Sequence, residues 1–221
     1  MSDALFDRPR VELGPGAVHC PGWLGLEHQR ALVAACRHWT SDSTAMRHHR
    51  TRGGVMSVRM ASLGWFWRPY RYSRTLPEGQ PVPAFPAELG ELARAALRTA
   101  YGAHPPTAAL DASYDVALVN FYDAHARMGM HQDRDEAVAA PVVSLSLGDS
   151  CVFRFGNTET RTRPYTDVEL HSGDLFVFGG PARMAYHGVP HTWPHTADPR
   201  CGLTSGRLNI TIRATGFDPG S

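Results

Sequence analysis

The sequence predicts an α+β protein that is mainly β, with helices in its N-terminal part and a jelly-roll or β-sandwich core. Its 221 residues suit one domain, which buries roughly 70% of the surface that the unfolded chain exposes. Apolar side chains recur at helical spacing in two early segments, whereas short alternating runs dominate beyond about residue 115. No internal repeat divides the chain, so we expect a single domain over residues 1–221.

Two helices are predicted before residue 102. Residues 14–24 have the composition of an extended entry segment, and residues 27–39 place apolar side chains on one helical face. The second helix begins at Pro86, a residue that suits the first helical turn, and continues to about Tyr101. The N-terminal third is therefore expected to be rich in helix.

The remaining segments are predicted to be strands and loops. Residues 43–77 contain glycine and proline breaks and are expected to form loop and short strand. Residues 191–205 are polar and are expected to form a loop. Beyond the second helix, predicted strands lie at residues 115–122, 141–147, 151–155, 174–178, 184–187 and 207–215.

Composition excludes several classes of protein. No apolar run approaches the roughly 18 residues that a membrane helix needs, so a membrane protein is excluded and no membrane partner is expected. The N-terminus carries two aspartates and does not resemble a secretory signal, which favours a cytoplasmic location. The four cysteines form no CxxC pair, which argues against a zinc ribbon and a disulfide scaffold.

Positive charge is concentrated in one segment although the net charge is only +1. All 22 basic residues are arginines, and seven of them lie in residues 43–77, which contain no Asp or Glu. The aromatic residues among them are Trp65, Phe66, Trp67, Tyr70 and Tyr72. Arginines contact phosphates and aromatic rings stack on bases, so this segment indicates nucleic-acid binding. A solvated surface with a few core aromatic residues is the alternative.

His131 and Asp133 indicate a metal site. Two residues apart on an extended chain, the imidazole and the carboxylate lie on the same face. His187 is the best candidate for a third ligand, because intervening antiparallel strands can return it to the first two. Two histidines and one carboxylate leave coordination positions open, as in non-heme Fe(II) oxygenases. With 12 histidines in the chain, chance or a turn cap also accounts for the first pair.

The predicted strand at residues 207–213 alternates strictly between polar and aliphatic side chains. Its polar face consists of Arg207, Asn209, Thr211 and Arg213. The two arginine Cα atoms are roughly 20 Å apart in extended chain, so their side chains could clamp a dicarboxylate of about five carbons that also chelates the metal. Asn120 and Tyr122 alternate similarly and could donate hydrogen bonds to its outer carboxylate. A solvated edge strand would show the same alternation.

Six sequence blocks occur in an order that resembles the AlkB family of Fe(II)/2-oxoglutarate dioxygenases. The blocks are NFYxxxxxxxxHQDRDE, SLSLG, FRFG, GDLFVFGG, YHGV and RLNITIR. The resemblance covers about two-thirds of the chain and implies a double-stranded β-helix core at about residues 113–215 with a nucleotide-recognition lid at about 43–80. It implies that Fe(II) is bound by His131, Asp133 and His187. It implies that 2-oxoglutarate is bound by Asn120, Tyr122, Arg207, Asn209 and Arg213.

The resemblance also implies an activity, namely the oxidation by O₂ of N-methyl groups on damaged nucleobases. 2-Oxoglutarate would leave as succinate and CO₂, and the methyl group as formaldehyde. Trp65 would stack on the extruded base, with His187 near the opposite side. The other implied or inferred substrate contacts are Thr51 and Tyr72 at the sugar-phosphate, Asp135 at the exocyclic amine, Glu136 beside it and Arg161 at a phosphate. The carboxylates would favour cationic lesions such as 1-methyladenine and 3-methylcytosine.

The substrate is less narrowly predicted than the chemistry. The lid around Val55 is shorter than in studied family members, which affects how tightly it covers a lesion. The arginine-rich segment favours alkylated nucleic acid, and DNA in particular, but methylated RNA or a protein side chain remains an alternative. A non-catalytic jelly-roll binding module is a further alternative, against which the arginine-bearing strand argues. We expect a monomer.

Overall fold

The computed structural model describes residues 8–41, 45–51, 53–110 and 112–218. Residues 43, 44 and 52 of the predicted lid, and the ends of the predicted 1–221 domain, lie outside the described residues. The described chain forms two facing antiparallel sheets, of eight and four strands, with a separate two-stranded hairpin. This arrangement confirms the predicted mainly β jelly-roll class.

Three α-helices lie in the part of the chain that the structure describes. They are α1 (Leu26–Trp39), α2 (Ala87–Tyr101) and the short α3 (Thr107–Leu110). The first two confirm the predicted helices to within one residue, and Pro86 lies immediately before α2 as its cap. None of the described helices combines the length and hydropathy that crossing a bilayer requires.

The strands of the N-terminal half are β1 (Val11–Gly14), β2 (Ala17–Cys20), β3 (Arg47–Thr51), β4 (Gly54–Leu63), β5 (Phe66–Arg68), β6 (Arg71–Ser73) and β7 (Val116–Tyr122). The strands that follow are β8 (Met128–His131), β9 (Val142–Gly148), β10 (Ser150–Gly156), β11 (Tyr165–Leu170), β12 (Leu175–Phe178), β13 (His187–Trp193) and β14 (Arg207–Arg213).

The large sheet has the order β1-β2-β12-β9-β14-β7-β4-β3, and the small sheet has the order β11-β10-β13-β8. The large sheet therefore includes four strands from the N-terminal part, which was expected to be rich in helix. In particular, residues 54–63 form a ten-residue strand paired with β7, where loop and short strand were predicted. Pairing with a distant strand stabilises a segment whose local sequence signal is weak.

The predicted strand at residues 184–187 is wrong. A 3-10 turn at Gly180–Ala182 leads into β13, which begins at His187 and continues to Trp193. The first residues of the polar segment predicted as a loop are therefore strand. His187 remains in the ladder because it pairs with β8.

Helices α1 and α2 cover the outer face of the large sheet. Leu208, Ile210 and Ile212 of β14 pack there with apolar residues from both helices, and all three are buried. Strand β14 lies between β9 and β7 and is buried on both faces, so the solvated-edge alternative for this strand is wrong. Its polar face consequently points into the space between the two sheets.

The inner space is filled at one end by a phenylalanine cluster. Phe153 and Phe155 of the small sheet contact Phe176 of the large sheet, with ring centroids 4.8 and 5.2 Å apart. Phe178 packs against the same cluster and against the ring of His187, 4.9 Å away. Packing alone therefore fixes the position of the His187 ring, without any ligand.

Candidate active site

Three potential metal ligands meet at the mouth of the jelly roll. His131 ends β8, His187 begins β13, and the two residues are directly paired across these antiparallel strands. Asp133 lies two residues beyond the end of β8, and its carboxylate oxygens are 3.6 Å from the Nε2 atoms of both histidines. One ligand atom from each residue lies within 4.8 Å of the others. The predicted triad is therefore brought together by strand pairing.

Close strand approach beside the triad depends on Gly188. A Cβ atom at this position would lie 2.7 Å from the carbonyl oxygen of Met128 in the neighbouring strand. Such a separation is shorter than a van der Waals contact, so a larger residue would push β13 away from β8. Glycine in the YHGV block thus allows His187 to face His131.

Both histidines are oriented for metal binding by a backbone hydrogen bond. Nδ1 of His131 lies 2.9 Å from the carbonyl oxygen of Gly129, and Nδ1 of His187 lies 3.0 Å from that of Ala185. A carbonyl oxygen only accepts, so each Nδ1 carries the hydrogen and each Nε2 keeps its lone pair. These lone pairs face the carboxylate of Asp133.

The carboxylate of Asp133 is itself incompletely satisfied. Its Oδ1 accepts from Nη2 of Arg213 at 2.8 Å, whereas its buried Oδ2 has no hydrogen-bond partner. A buried unpartnered carboxylate oxygen is costly unless a cation binds it. The donor set of two imidazole nitrogens and one carboxylate oxygen suits Fe(II), so these residues fit the implied metal.

Electrostatics keep Asp133 and His187 in their metal-binding protonation states. Burial alone would raise the pKa of Asp133, but the guanidinium of Arg213 and the two histidines outweigh it and hold that pKa well below its usual range. Burial and the neighbouring His131 ring lower the pKa of His187 to about 4. An anionic carboxylate and a neutral imidazole are therefore expected at neutral pH.

The three side chains of the triad differ in exposure. The side chains of Asp133 and His187 are 4% and 8% exposed, whereas that of His131 is 36% exposed. His131 is therefore the ligand that solvent reaches most readily.

A second group of buried polar side chains lies on β14, the strand whose Arg213 contacts Asp133. The buried side chain of Arg207 donates from Nη2 to Ser146 at 3.1 Å, and its Nε and Nη1 have no partner. Its guanidinium lies 5.0 Å from the ring centroid of Tyr122, the residue opposite it on β7. An unpaired buried guanidinium is unfavourable unless an anion neutralises it. The site therefore fits a carboxylate beside Arg207.

The other predicted 2-oxoglutarate residues lie on the same face. Asn209 faces Asn120 across β14 and β7 and accepts its side-chain hydrogen bond at 3.3 Å, while Oδ1 of Asn120 has no partner. At the far end of β14, Nε of Arg213 is also unpartnered. Burial raises the pKa of Tyr122 to about 12, so its hydroxyl keeps its proton. Several unused hydrogen-bonding groups thus line one strip between the arginines.

Glu136 has a different position from the predicted one. Its side chain is fully buried and its two oxygens are engaged by Arg183 at 2.9 Å, Arg213 at 3.1 Å and the hydroxyl of Tyr72 at 2.6 Å. With both oxygens occupied, this carboxylate is a structural ion-pair partner and not an open substrate contact. Asp135, in contrast, is half-buried and accepts one hydrogen bond, from Nε1 of Trp67 at 2.8 Å.

Trp65 also departs from its predicted role. The indole is 3% exposed, donates to Asp115 at 2.8 Å, and has the guanidinium of Arg74 3.7 Å from its ring centroid. Phe217 packs edge-on against the same ring at 5.6 Å. The structure thus gives Trp65 a core position without an open face for a base, because residues distant in sequence cover it.

The remaining predicted substrate contacts are Thr51, Arg161 and Tyr72. Thr51 lines a groove of about 640 Å³ next to the β5–β6 hairpin. Arg161 is exposed, and its guanidinium lies 5.9 Å from the ring of Tyr186, which precedes His187. Tyr72 is the residue paired with Trp67 in the hairpin, and its hydroxyl is directed at the buried ion pairs.

The groove is strongly basic. The arginines that line it are Arg47, Arg50, Arg68 and Arg71. Arg47 pairs with Glu78 at 2.8 Å, and no carboxylate is among the described residues that line the groove. Tyr70, at the hairpin tip, is 57% exposed and has a φ of 77°. This surface corresponds to the arginine-rich segment of the sequence.

Sequence reasoning missed three residues of the site. Ser144 and Ser146 face β14 from β9 and bond to Asn209 and Arg207 respectively, and the alternation in VVSLSLG could have placed them on that face. Arg183 donates to the backbone of Asp133 and to Glu136. No local pattern distinguishes this arginine from a surface residue.

Comparisons with known proteins agree with this geometry. Residues 16–213 match the family model described as the 2OG-Fe(II) oxygenase superfamily. An "Alpha-ketoglutarate-dependent dioxygenase AlkB homolog" from Caulobacter vibrioides is 41% identical over 206 residues, covering 90% of this chain and 87% of the relative. The Arabidopsis thaliana protein named "DNA N(6)-methyladenine demethylase ALKBH1D" is 32% identical over 218 residues, covering 90% of this chain and 49% of that protein.

A solved structure supports the same relationship. The protein described as "The structure of OsALKBH1" superposes with a TM-score of 0.80 at 32% identity, covering 92% of this chain and 100% of that one. Sequence, fold and the histidine-aspartate-histidine cluster therefore agree. The chain belongs to the 2OG-Fe(II) oxygenase superfamily and, within it, to the AlkB family of dealkylating dioxygenases, which require Fe(II), 2-oxoglutarate and O₂.

Proposed function

We propose that this protein removes N-methyl groups from nucleobases in DNA, with 1-methyladenine and 3-methylcytosine as substrates, and so repairs alkylation damage directly. One observation carries the proposal. Two imidazole Nε2 atoms and an unpartnered carboxylate oxygen converge. On β14, whose Arg213 contacts that carboxylate, the buried guanidinium of Arg207 has two nitrogen atoms without a partner. A metal and a dicarboxylate satisfy both at once.

His131, Asp133 and His187 would hold Fe(II), and the strip between Arg207 and Arg213 would hold 2-oxoglutarate. Bound there, the iron supplies the activation of O₂ that hydroxylates the methyl carbon. One oxygen atom enters succinate as CO₂ leaves, and the other forms a hydroxymethyl group on the base nitrogen. That group breaks down to formaldehyde as the C–N electron pair returns to the ring nitrogen. The hydroxyl proton passes to water, which leaves the neutral base, so no dedicated acid or base of the protein is required.

The residues of this chain contribute positioning and exclusion of water. Arg207 would neutralise the outer carboxylate in a site where it is 1% exposed. Packing of His187 against Phe178 and Phe153 keeps solvent from one side of the triad. The remaining opening past His131 admits a base that has been extruded from its strand.

The basic groove favours nucleic acid over a protein side chain. Arg50, Arg68 and Arg71 line it, and the exposed ring of Tyr70 stands among them. Arginines beside an aromatic ring suit phosphates and an adjacent base. The groove does not distinguish DNA from RNA, so methylated RNA is the second candidate substrate.

The test uses methylated oligonucleotides in DNA and RNA form, single- and double-stranded, with mass spectrometry of the products. We expect loss of one methyl group from 1-methyladenine and 3-methylcytosine in DNA, with formaldehyde and succinate formed in equal amounts. Asp133→Ala should abolish both products while the circular dichroism spectrum stays unchanged. Asp167→Ala is the matched control, because Asp167 forms a partly exposed pair with Arg154 in the small sheet.

Two outcomes would contradict the proposal. Undiminished succinate formation by the Asp133→Ala variant would show that Asp133 is not a ligand of the iron. Turnover of 2-oxoglutarate without demethylation of any DNA substrate would exclude DNA repair. Demethylation confined to RNA would show that methylated RNA, the second candidate, is the substrate.

A further inference from the structure

The β5–β6 hairpin rests on the acidic turn that follows the metal carboxylate. Trp67 and Tyr72 are paired across the hairpin, so their side chains share one face. The indole N–H of Trp67 donates to Oδ2 of Asp135 at 2.8 Å, and the hydroxyl of Tyr72 donates to Oε1 of Glu136 at 2.6 Å. Each polar end thus meets one of two consecutive carboxylates.

The two carboxylates differ in how many of their oxygens already accept hydrogen bonds. The side chain of Glu136 is fully buried, and both of its oxygens accept hydrogen bonds, from Arg183, Arg213 and Tyr72. Asp135 is half-buried, and the indole of Trp67 engages its Oδ2. Of the two residues, Asp135 is therefore the one that keeps a carboxylate oxygen for a further hydrogen bond, and it lies two residues beyond the potential metal ligand Asp133.

We propose that Trp67 is a positioning residue for base selection: its indole N–H fixes one oxygen of Asp135 so that the other oxygen accepts from an exocyclic amine of the bound base. This inference rests on the proposed function. It names a residue on the lid that acts through Asp135 and does not itself touch the reacting methyl group.

The energetics favour a rigid carboxylate here. A charge-assisted hydrogen bond in a partly buried place removes the side-chain freedom that Asp135 would otherwise lose only on binding the base. The carboxylate then attracts a base that carries an amine N–H or a positive charge. A neutral lesion whose ring has carbonyl groups in place of the amine gains nothing from it.

Trp67 is also connected to the basic groove. Its ring lies edge-on to the ring of His49 at 5.5 Å, and His49 lines the groove together with Phe66. Phe66, Arg68 and the groove lie on the hairpin face opposite Trp67, as the alternation along β5 requires. The hairpin therefore carries phosphate-binding groups on one face and the support of Asp135 on the other.

The test is Trp67→Phe, which keeps an aromatic ring but lacks the N–H. Turnover is measured on DNA oligonucleotides that carry 1-methyladenine or 3-methylcytosine, which have the amine, and 3-methylthymine, which has none. We expect kcat/KM to fall roughly tenfold or more on the amine-bearing lesions, mainly through KM, because a charge-assisted hydrogen bond is removed. On 3-methylthymine it should change less than about twofold.

Three comparisons isolate the mechanism. Trp67→His, which can offer a ring N–H, should recover part of the activity. In an Asp135→Ala background, Trp67→Phe should have no further effect, since the two residues act as one unit. Trp23→Phe is the matched control, because the indole N–H of Trp23 donates to Thr99, near α1 and α2.

Binding by metal-free protein gives a readout that does not depend on turnover. Fluorescence anisotropy should show that Trp67→Phe weakens binding of the 1-methyladenine oligonucleotide and leaves that of the 3-methylthymine oligonucleotide unchanged. Equal reductions on all lesions, or no reduction on any, would overturn the role of Trp67 while the proposed function stood. A wild-type protein that turns over 2-oxoglutarate but demethylates no oligonucleotide would instead refute the proposed function, and this inference with it.

Discussion

Replacing Glu136 by alanine should destabilise the protein severely. The carboxylate is 0% exposed and is bonded to Tyr72 and to two arginines, Arg183 and Arg213, whose side chains are 5% and 9% exposed. Its removal leaves two buried positive charges with less compensation, and breaking a buried ion pair from one side costs about 3–5 kcal/mol. For a domain of this size that corresponds to a fall in Tm of roughly 6–20 °C.

Thermal unfolding of the metal-free protein measures this effect directly. Asp167→Ala is the control: Asp167 is 42% exposed and paired with Arg154, so its removal should cost no more than about 1 kcal/mol. Glu136→Gln should lie between the two because it keeps hydrogen bonding and loses the charge. A Glu136→Ala protein with an unchanged Tm and a raised KM for methylated oligonucleotides would refute the structural role and restore the substrate contact predicted from sequence.

Three further predictions concern the anion site, the groove and acid stability. Arg207→Ala should weaken 2-oxoglutarate binding at least about 100-fold in titration calorimetry, because it removes the buried cation beside Ser146. An unchanged affinity would show that Arg207 does not bind the outer carboxylate. Arg68→Gln with Arg71→Gln should reduce the dependence of oligonucleotide affinity on salt by about one unit of slope for each phosphate that these arginines neutralise, and an unchanged slope would exclude the groove. Burial alone would raise the pKa of Asp174, but hydrogen bonds, of which that from His19 has the largest effect, lower it to about 2. The ionised carboxylate therefore contributes about 2 kcal/mol to the free energy of unfolding above pH 4, and this contribution disappears as the pH falls toward 2. Asp174→Asn should flatten that part of the acid-unfolding curve.

Local periodicity predicted which side chains share a face near the metal cluster and along β14. The two-residue spacing of His131 and Asp133 placed both on one face, and the alternation of β14 separated its arginines from its aliphatic residues. Both patterns depend only on a few residues of extended chain, so the face on which each side chain lies does not depend on the rest of the fold. The prediction that the polar face of β14 is interior rested on its two arginines, because a solvated edge strand would show the same alternation.

Periodicity could not predict which aromatic side chains are covered. Trp65 and Trp67 lie two residues apart, yet Trp65 is enclosed by Arg74 and Phe217 whereas Trp67 reaches Asp135. The covering groups come from a neighbouring loop and from the end of the chain. Only tertiary packing decides between a core indole and one that faces the site.

The acidic turn posed the same difficulty. A cluster of carboxylates in sequence is usually an exposed turn, but Arg183 and Arg213 reach Glu136 from positions 47 and 77 residues away. Contacts of that range are absent from any local pattern, so the sequence could not show that ion pairs occupy Glu136 while Asp135 keeps a free oxygen. The length of β4, in a segment predicted as loop and short strand, has the same cause, since its partner β7 is distant in sequence.

The charges around the triad explain why a divalent cation and a dianion belong together in this site. The buried carboxylates of Asp133 and Glu136 are balanced by the guanidiniums of Arg183 and Arg213, and the low pKa of His187 keeps its imidazole neutral. Arg207 is then left as the uncompensated buried cation. A metal ion alone would add two positive charges to it, whereas a metal ion with a dicarboxylate adds none. Because low-dielectric surroundings penalise net charge, each ligand should bind more tightly in the presence of the other.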